Sequence, residues 1–347
     1  MVLLFSIIVL ALIFDYINGF HDAANSISTV VTTKVLTPVQ AVLWAAFFNF
    51  VAFFLAKYWL GFKIAETVSK TVIAEYVTLP VILSALIAAI IWNLATWWFA
   101  IPSSSSHTLL GSLAGAAIAY GGFNSIHYTG HNGMIVIIAF IAIAPLIGMI
   151  AGVIVTVITL HLAKKMKPKN AERRFRHLQL LSSAWLSITH GLNDSTKVMG
   201  VIGVSLIAYN ASVGSETLPH WLRLSTMKDI HDWVPFACFT AIALGTLSGG
   251  WKIVKTMGNK ITKLTAVEGF CSQMASSITL QMTEQMGIPV STTHVISGGI
   301  MGVGAVKRLS AVRWSVTINL LWAWVLTIPV SALLAAGIYS LIHLFGV

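Results

Sequence analysis

Gly19-Phe20-His21-Asp22 and Gly191-Leu192-Asn193-Asp194 repeat one pattern: a glycine, then an aspartate three positions on, each set inside a long apolar stretch. A second pair follows in the same order. Ile101-Pro102-Ser103-Ser104-Ser105-Ser106-His107 returns as Ile288-Pro289-Val290-Ser291-Thr292-Thr293-His294. After each histidine, glycine recurs four and eight positions on, at Gly111 and Gly115 and at Gly298 and Gly302. Chance accounts for one such match. Two in order, with histidine and glycine spacing kept, indicate an internal repeat. The chain divides into a first repeat at 1–161, a basic loop at 162–179 and a second repeat at 180–347.

The apolar setting of both motifs extends to the whole chain. Of 347 residues, 57% are hydrophobic and 9% charged, with a mean hydropathy of +0.85. A soluble domain carries about 25% charged residues, so the bilayer is the expected solvent. Backbone groups in lipid must be satisfied within the segment, so long apolar runs read as helices; a β-barrel would show short alternating segments. The fold class is therefore all-α, polytopic and membrane-embedded. Ten crossings are expected, at 1–33, 37–60, 80–100, 103–121 and 134–161, then 180–208, 233–251, 265–288, 291–306 and 315–345. The stretch 1–33 contains Gly19 and a polar run and is expected to be broken. The stretches after Pro102 and Pro289 read as half-helices, so 10 to 12 helices are expected. Met1–Phe14 lacks a basic start and a small-residue cleavage site and is read as a retained helix. Cys238 and Cys271 fit no metal spacing and read as packing residues.

The net charge of +10 lies in short segments between apolar runs, which argues for membrane topology and against a nucleic-acid partner. The central loop carries Lys164, Lys165, Lys167, Lys169, Arg173, Arg174 and Arg176, so it is placed in the cytoplasm. Alternation then places Lys34, Lys252, Lys255, Lys260, Lys263, Lys307, Arg308 and Arg313 on the same side. The other side has only Lys57, Lys63, Lys70, Arg223 and Lys228, and both termini lie outside. Each repeat has five crossings, an odd number, so the second enters the membrane inverted. Inverted repeats mark transporters whose sites lie near the midplane, where broken helices of both halves meet.

An aspartate inside a span costs about 2.5 kcal/mol or more without partners or water. Asp22 and Asp194, at matching places, read as ion-coupling groups, with helix capping as the bland alternative. Proline followed by Ser or Thr suits a helix start, where hydroxyls, free N–H groups and the helix dipole make an anion cradle. Two such starts could hold a tetrahedral oxyanion between them. Ser104, Ser105, Ser106 and Thr108 serve in one half and Ser291, Thr292 and Thr293 in the other; plain capping is the alternative. Lys197 stands three residues after Asp194, where the first half has Asn25. It can pair with Asp194 or compensate a substrate's charge. His107 and His294 can carry protons or simply pack. Asp15, Glu268 and Glu284 lie in or near spans, and Glu268 is taken as a coupling candidate. No His/Asp/Glu group has recognisable metal-ligand spacing, and a metal site is left unassigned.

Gly19-Phe20-His21-Asp22-Ala23-Ala24-Asn25-Ser26, His190-Gly191-Leu192-Asn193-Asp194-Ser195-Thr196-Lys197 and Ile288-Pro289-Val290-Ser291-Thr292-Thr293-His294 closely resemble the motifs of the inorganic phosphate transporter family, across nearly the whole chain outside the central loop. The resemblance implies secondary active phosphate symport in a plasma (inner) membrane, an inverted-repeat helical fold, no cofactor and a homodimer. It carries substrate and ion roles to Asp22, Asn25, Asp194, Ser105, Ser106, Thr292 and Thr293. Sodium-coupled members typically have asparagine where this chain has Lys197; proton-coupled bacterial low-affinity members resemble this chain. The resemblance therefore implies H+ coupling, with phosphate carried as a neutral complex with a divalent metal.

Sodium-coupled phosphate symport and sulfate transport are the near alternatives. Phosphate differs from sulfate in retaining a proton that needs an acceptor, a part open to Asp22 or Asp194. His21-Asp22 resembles the dipeptide of metal phosphohydrolases, but the remaining ligands are missing, so no enzyme is expected. Midplane carboxylates in a repeat favour a gated carrier over a passive channel.

Overall fold

The computed structural model describes residues 1–62, 64–65, 71–130, 133–213 and 218–345. Lys63 and Lys70 of the charge layout lie outside the described residues. The described residues form eleven α-helices. In chain order these are α1 (Val2–Thr32), α2 (Pro38–Leu55), α3 (Leu79–Trp98), α4 (Ser105–Gly121), α5 (Met134–Ala163), α6 (Pro168–Val213), α7 (Trp233–Ser248), α8 (Trp251–Lys260), α9 (Ala266–Gln285), α10 (Thr292–Lys307) and α11 (Trp314–Leu344). Six of them, α1, α2, α3, α5, α6 and α11, are long and apolar enough to cross a membrane, and the bent pair α7–α8 makes a seventh. Each of the ten expected segments contains a helix. The four that fall short of a plain span are α4, α7, α9 and α10. Helices α4, α7 and α10 have only 16 or 17 residues. Helix α9 is polar because it faces other helices, burying Ser272, Gln273, Ser276 and Ser277.

Helix α1 corrects one expectation: it runs unbroken through Gly19. The glycine serves a close crossing. A Cβ on Gly19 would stand 2.3 Å from the Ile242 carbonyl oxygen of α7. Gly191 does the same for α6, where a Cβ would stand 2.8 Å from Asn49 O of α2. The chain breaks elsewhere, at Gly249-Gly250, where α7 and α8 meet at 75° and Gly249 adopts φ +64°, and at the Pro-Ser/Thr segments. The basic stretch at 162–179 is likewise not a loop for most of its length. Only 164–167 interrupt the helices. Helix α6 has 46 residues, about 69 Å at 1.5 Å per residue, so its basic first turns extend beyond an apolar core of about 30 Å.

Helices α1 and α6 are antiparallel. The N-terminal amine of Met1 donates to Tyr209 at one end (2.7 Å), and Thr33 Oγ1 donates to Gln179 Oε1 at the other (2.9 Å). Two helical hairpins, α3–α4 and α9–α10, enter from opposite ends. Thr78 before α3 lines a surface cavity with Leu3 and Ala208, whereas Gly269 of α9 packs on Gln179. The inner arm of each hairpin packs on the last helix of the other half. Gly111 and Gly115 of α4 lie against Ile328 and Ala332 of α11, and Gly298 and Gly302 of α10 against Pro145 and Met149 of α5. At Gly115 and Gly302 an added Cβ would come within 2.1 Å of a carbonyl oxygen. The repeated glycines thus bring helix backbones together across the two halves.

Two apolar clusters bracket the interior. One joins Leu4, Ile7, Ala11, Phe14 and Cys238 to α3, α4 and the later turns of α6. The other joins Ile27, Val30, Ile253, Ile296 and Trp324. Between them, α1 from Asn18 to Thr29 and α6 from Gln179 to Lys197 present buried polar side chains to the hairpin tips.

Candidate functional site

Each hairpin tip is built the same way. Proline in an extended segment stops the helix register, and a serine caps the next helix. Ser104 Oγ accepts from His107 N (3.1 Å), and Ser291 Oγ accepts from His294 N (3.3 Å). The two hydroxyls that follow each cap, Ser105 and Ser106 and then Thr292 and Thr293, are left to face α1 and α6.

Asp22 receives two groups. His21 Nδ1 lies 2.8 Å from its Oδ1, and Ser105 Oγ lies 2.8 Å from its Oδ2. Ser105 Oγ is also 2.5 Å from Asn18 Oδ1, so one hydroxyl proton serves two acceptors. His21 Nε2 faces Thr96 Oγ1 at 3.1 Å and Ser103 Oγ at 3.4 Å. Asn25 reaches across to the other hairpin: its Nδ2 donates to Thr292 Oγ1 (3.1 Å) and Thr293 Oγ1 (3.0 Å).

Asp194 mirrors Asp22. Lys197 Nζ donates to its Oδ1 at 2.9 Å, and Thr292 Oγ1 lies 3.5 Å from its Oδ2. Lys197 Nζ also donates to Ser106 Oγ (2.5 Å), Val290 O (3.0 Å) and Asn193 Oδ1. Four oxygens thus share three ammonium protons. His190 Nε2 approaches Asp194 Oδ2 at 3.2 Å without the alignment of a hydrogen bond. The bonds on its other face fix its role. Thr246 Oγ1 donates to Ile242 O (2.8 Å) and so accepts from Asn49 Nδ2 (2.9 Å). That leaves Asn49 Oδ1 to accept from His190 Nδ1 at 3.3 Å. His190 is thus held by Asn49 on one face and turns Nε2 toward Asp194 on the other. Asp22, His190 and Asp194 offer ligand atoms within 4.8 Å of one another.

The expected substrate residues Asn25, Ser105, Ser106, Lys197, Thr292 and Thr293 therefore converge with Asp22 and Asp194, all at 4% exposure or less. Ser104 and Ser291 are caps. Thr108 spends its hydroxyl on Ser104 O within its own helix (2.9 Å). His107 and His294 meet each other, with ring centroids 4.9 Å apart, and His294 lies on Trp324 at 4.1 Å. No ring nitrogen of either has a hydrogen-bond partner among the described residues, and the two rings lie against each other at the starts of α4 and α10. Glu268 also stands apart. It closes a capping box at the start of α9, accepting from Thr265 N at 2.7 Å, and pairs with Lys307. Its place at the basic end, not the centre, follows from being the third residue of a helix that begins there.

Sequence reasoning missed Asn18, Asn49, Thr96, His190 and Thr246. His190 stood in a quoted motif, and its four-residue spacing to Asp194 puts both on one helical face. Asn49, Thr96 and Thr246 carry no comparable signal, being single polar residues in apolar helices.

The phosphate transporter family model matches residues 18–335. A "Probable low-affinity inorganic phosphate transporter" of Rhizobium meliloti is 46% identical over 97% of this chain and 96% of its own length. One of the same description from Bacillus subtilis is 41% identical over 99% and 98%. A solved structure described as "The sodium-dependent phosphate transporter" superimposes with a TM-score of 0.82 at 25% identity, covering 99% of this chain and 100% of that one. The matched span takes in both aspartate motifs and both hairpin tips, and on that breadth the chain belongs to the phosphate transporter family.

Proposed function

We propose that this protein is a secondary transporter that imports inorganic phosphate in symport with protons, in an inner membrane with its basic end cytoplasmic. The observation that carries the reading is the position of Lys197. Its ammonium sits between Asp194 and Ser106, where a substrate anion held by the hairpin tips would meet it. A fixed cation there compensates the anion's charge that a mobile sodium ion would otherwise offset.

Binding exchanges partners without new machinery. Ser105, Ser106, Thr292 and Thr293 release their bonds to Asp22, Lys197 and Asn25 and turn to phosphate oxygens at two helix N-termini, whose dipoles favour the anion. Asp22 and Asp194 accept the proton that phosphate retains and sulfate lacks. The Asp22–His190–Asp194 group, whose ligand atoms lie within 4.8 Å of one another, suits a divalent ion arriving as part of a neutral metal–phosphate cargo. The antiparallel α1 and α6, the hairpins from opposite ends and the reciprocal helix packing support two inverted repeats and alternating access. A homodimer is expected alongside.

A second reading, sodium coupling, is favoured by the description of the superimposed structure. Purified protein in liposomes separates the two. Phosphate accumulation should follow a pH gradient, rise with magnesium and ignore a sodium gradient. Accumulation that follows sodium and ignores pH would refute proton coupling, and sulfate competing equally with labelled phosphate would refute the specificity.

A further inference from the structure

Asp15 lies two turns before Asp22 on α1, and positions 15, 18, 22 and 25 share one helical face. Asn18, Asp22 and Asn25 each bond to another element. Asp15 is 0% exposed, and neither carboxyl oxygen has a hydrogen-bond partner. Among the described residues no basic group stands within ion-pair distance of it.

The groups around it deepen the problem. From α6 the charge that bears on Asp15 is Asp194, another carboxylate already engaged by Lys197, and from α7 its titratable neighbour is Cys238. Helices α2 and α3 also pack on α1 and carry no charged residue or histidine. The lysines of α8, and Glu268, Glu284, His294 and Lys307 of α9 and α10, belong to helices that meet α1 at its later half, as Gly258 against Thr32, Gln273 against Thr29 and Thr292 against Asn25 show. An ionised carboxylate buried from solvent with no protein donor and no counter-ion is strongly disfavoured. An uncharged acid is not.

Asp15 also sits at a boundary. Ala11, Phe14 and Cys238 belong to the apolar cluster that closes the N-terminal end of α1, whereas Asn18 begins the polar site. Opening that apolar end admits water to Asp15 before it reaches Asp22.

We propose that Asp15 is a proton-binding site of the transport cycle. In the state open at the N-terminal end of α1, its carboxylate takes one proton from water and becomes a carboxylic acid; no other bond changes. Only this uncharged form is compatible with the closed state, so closure around phosphate carries the proton with it, and water on the opposite side removes it. This inference rests on the proton coupling proposed above.

The test is Asp15→Asn in liposomes beside the wild type. The variant cannot cycle a proton. It should exchange labelled phosphate across the membrane at equal pH, yet lose pH-driven accumulation. Asp15→Glu should restore accumulation with a shifted pH profile. If the wild type itself ignores a pH gradient, proton coupling fails and the Asp15 site with it. If the wild type responds and Asp15→Asn accumulates phosphate with an unchanged proton-to-phosphate ratio, only the Asp15 proposal is overturned. Should Asp15→Asn not reach the membrane, Asp15→Glu decides alone, an unaltered pH profile overturning the proposal.

Discussion

Lys197 on α6 donates to Ser106 at the tip of α4 across 2.5 Å, and the matching pair of the other half, Asn25 and Thr293, stands at 3.0 Å. Each motif helix thus holds the hairpin tip of the opposite half. One link is charged and the other neutral. Among the described residues, that difference puts a lysine on one side of the site and an asparagine on the other.

Replacing Lys197 tests the charge. Lys197→Ala leaves Asp194 buried without its cation, and removing one partner of a buried pair costs roughly 3–5 kcal/mol. Thermal unfolding in detergent should show a lower midpoint, and pH-driven uptake should be lost. Lys197→Asn restores the neutral pairing of Asn25. It should recover stability in part and make uptake respond to sodium; a variant indifferent to sodium counts against Lys197 as the stand-in cation.

The tip hydroxyls differ in what they can give a substrate. Ser105→Ala removes the donor to Asp22 and Asn18 and should raise the phosphate KM by about ten- to a hundredfold, in line with 1–3 kcal/mol for a buried group left unpaired. Thr108→Val removes only a bond within α4 and should leave KM within about twofold, the small effect typical of a change away from key contacts. Equal effects of the two on uptake kinetics would contradict the site as drawn.

Gly19 and Gly302 test the crossings. A Cβ at Gly19 meets Ile242 O at 2.3 Å, and at Gly302 it meets Met149 O at 2.1 Å. Backbone carbonyls cannot step aside, so each Gly→Ala change should destabilise by about 1–3 kcal/mol, read as a lowered unfolding midpoint. Gly337 has open space around it, and Gly337→Ala should not lower the midpoint.

Glu268 separates the capping reading from a coupling one. Glutamine keeps a capping oxygen while losing charge toward Lys307. Glu268→Gln should keep the pH profile of uptake and lose at most about 1 kcal/mol of stability. A displaced pH profile would return Glu268 to the coupling groups.

Composition, periodic apolar runs and the two repeated motifs were enough to place this chain in a membrane, to count its helices and to pick out Asp22, Asn25, Asp194, Lys197 and the tip hydroxyls. Those signals are local: solvent preference, the residues that cap a helix, and the anomaly of charge among apolar neighbours. The tertiary structure decided what local signals cannot carry. Gly19 reads as a helix breaker until α7 is seen 2.3 Å from its missing Cβ. His107 and His294 read equally as proton carriers or as packing residues, and only the fold shows that each lies against the other's ring. Glu268 reads as an intramembrane carboxylate until it is found capping α9, and Asn49 and Thr246 gain meaning only by orienting His190. A side chain's chemistry is a property of its residue, but its partners come from other helices, and which helices meet is settled by how the whole chain buries its surface.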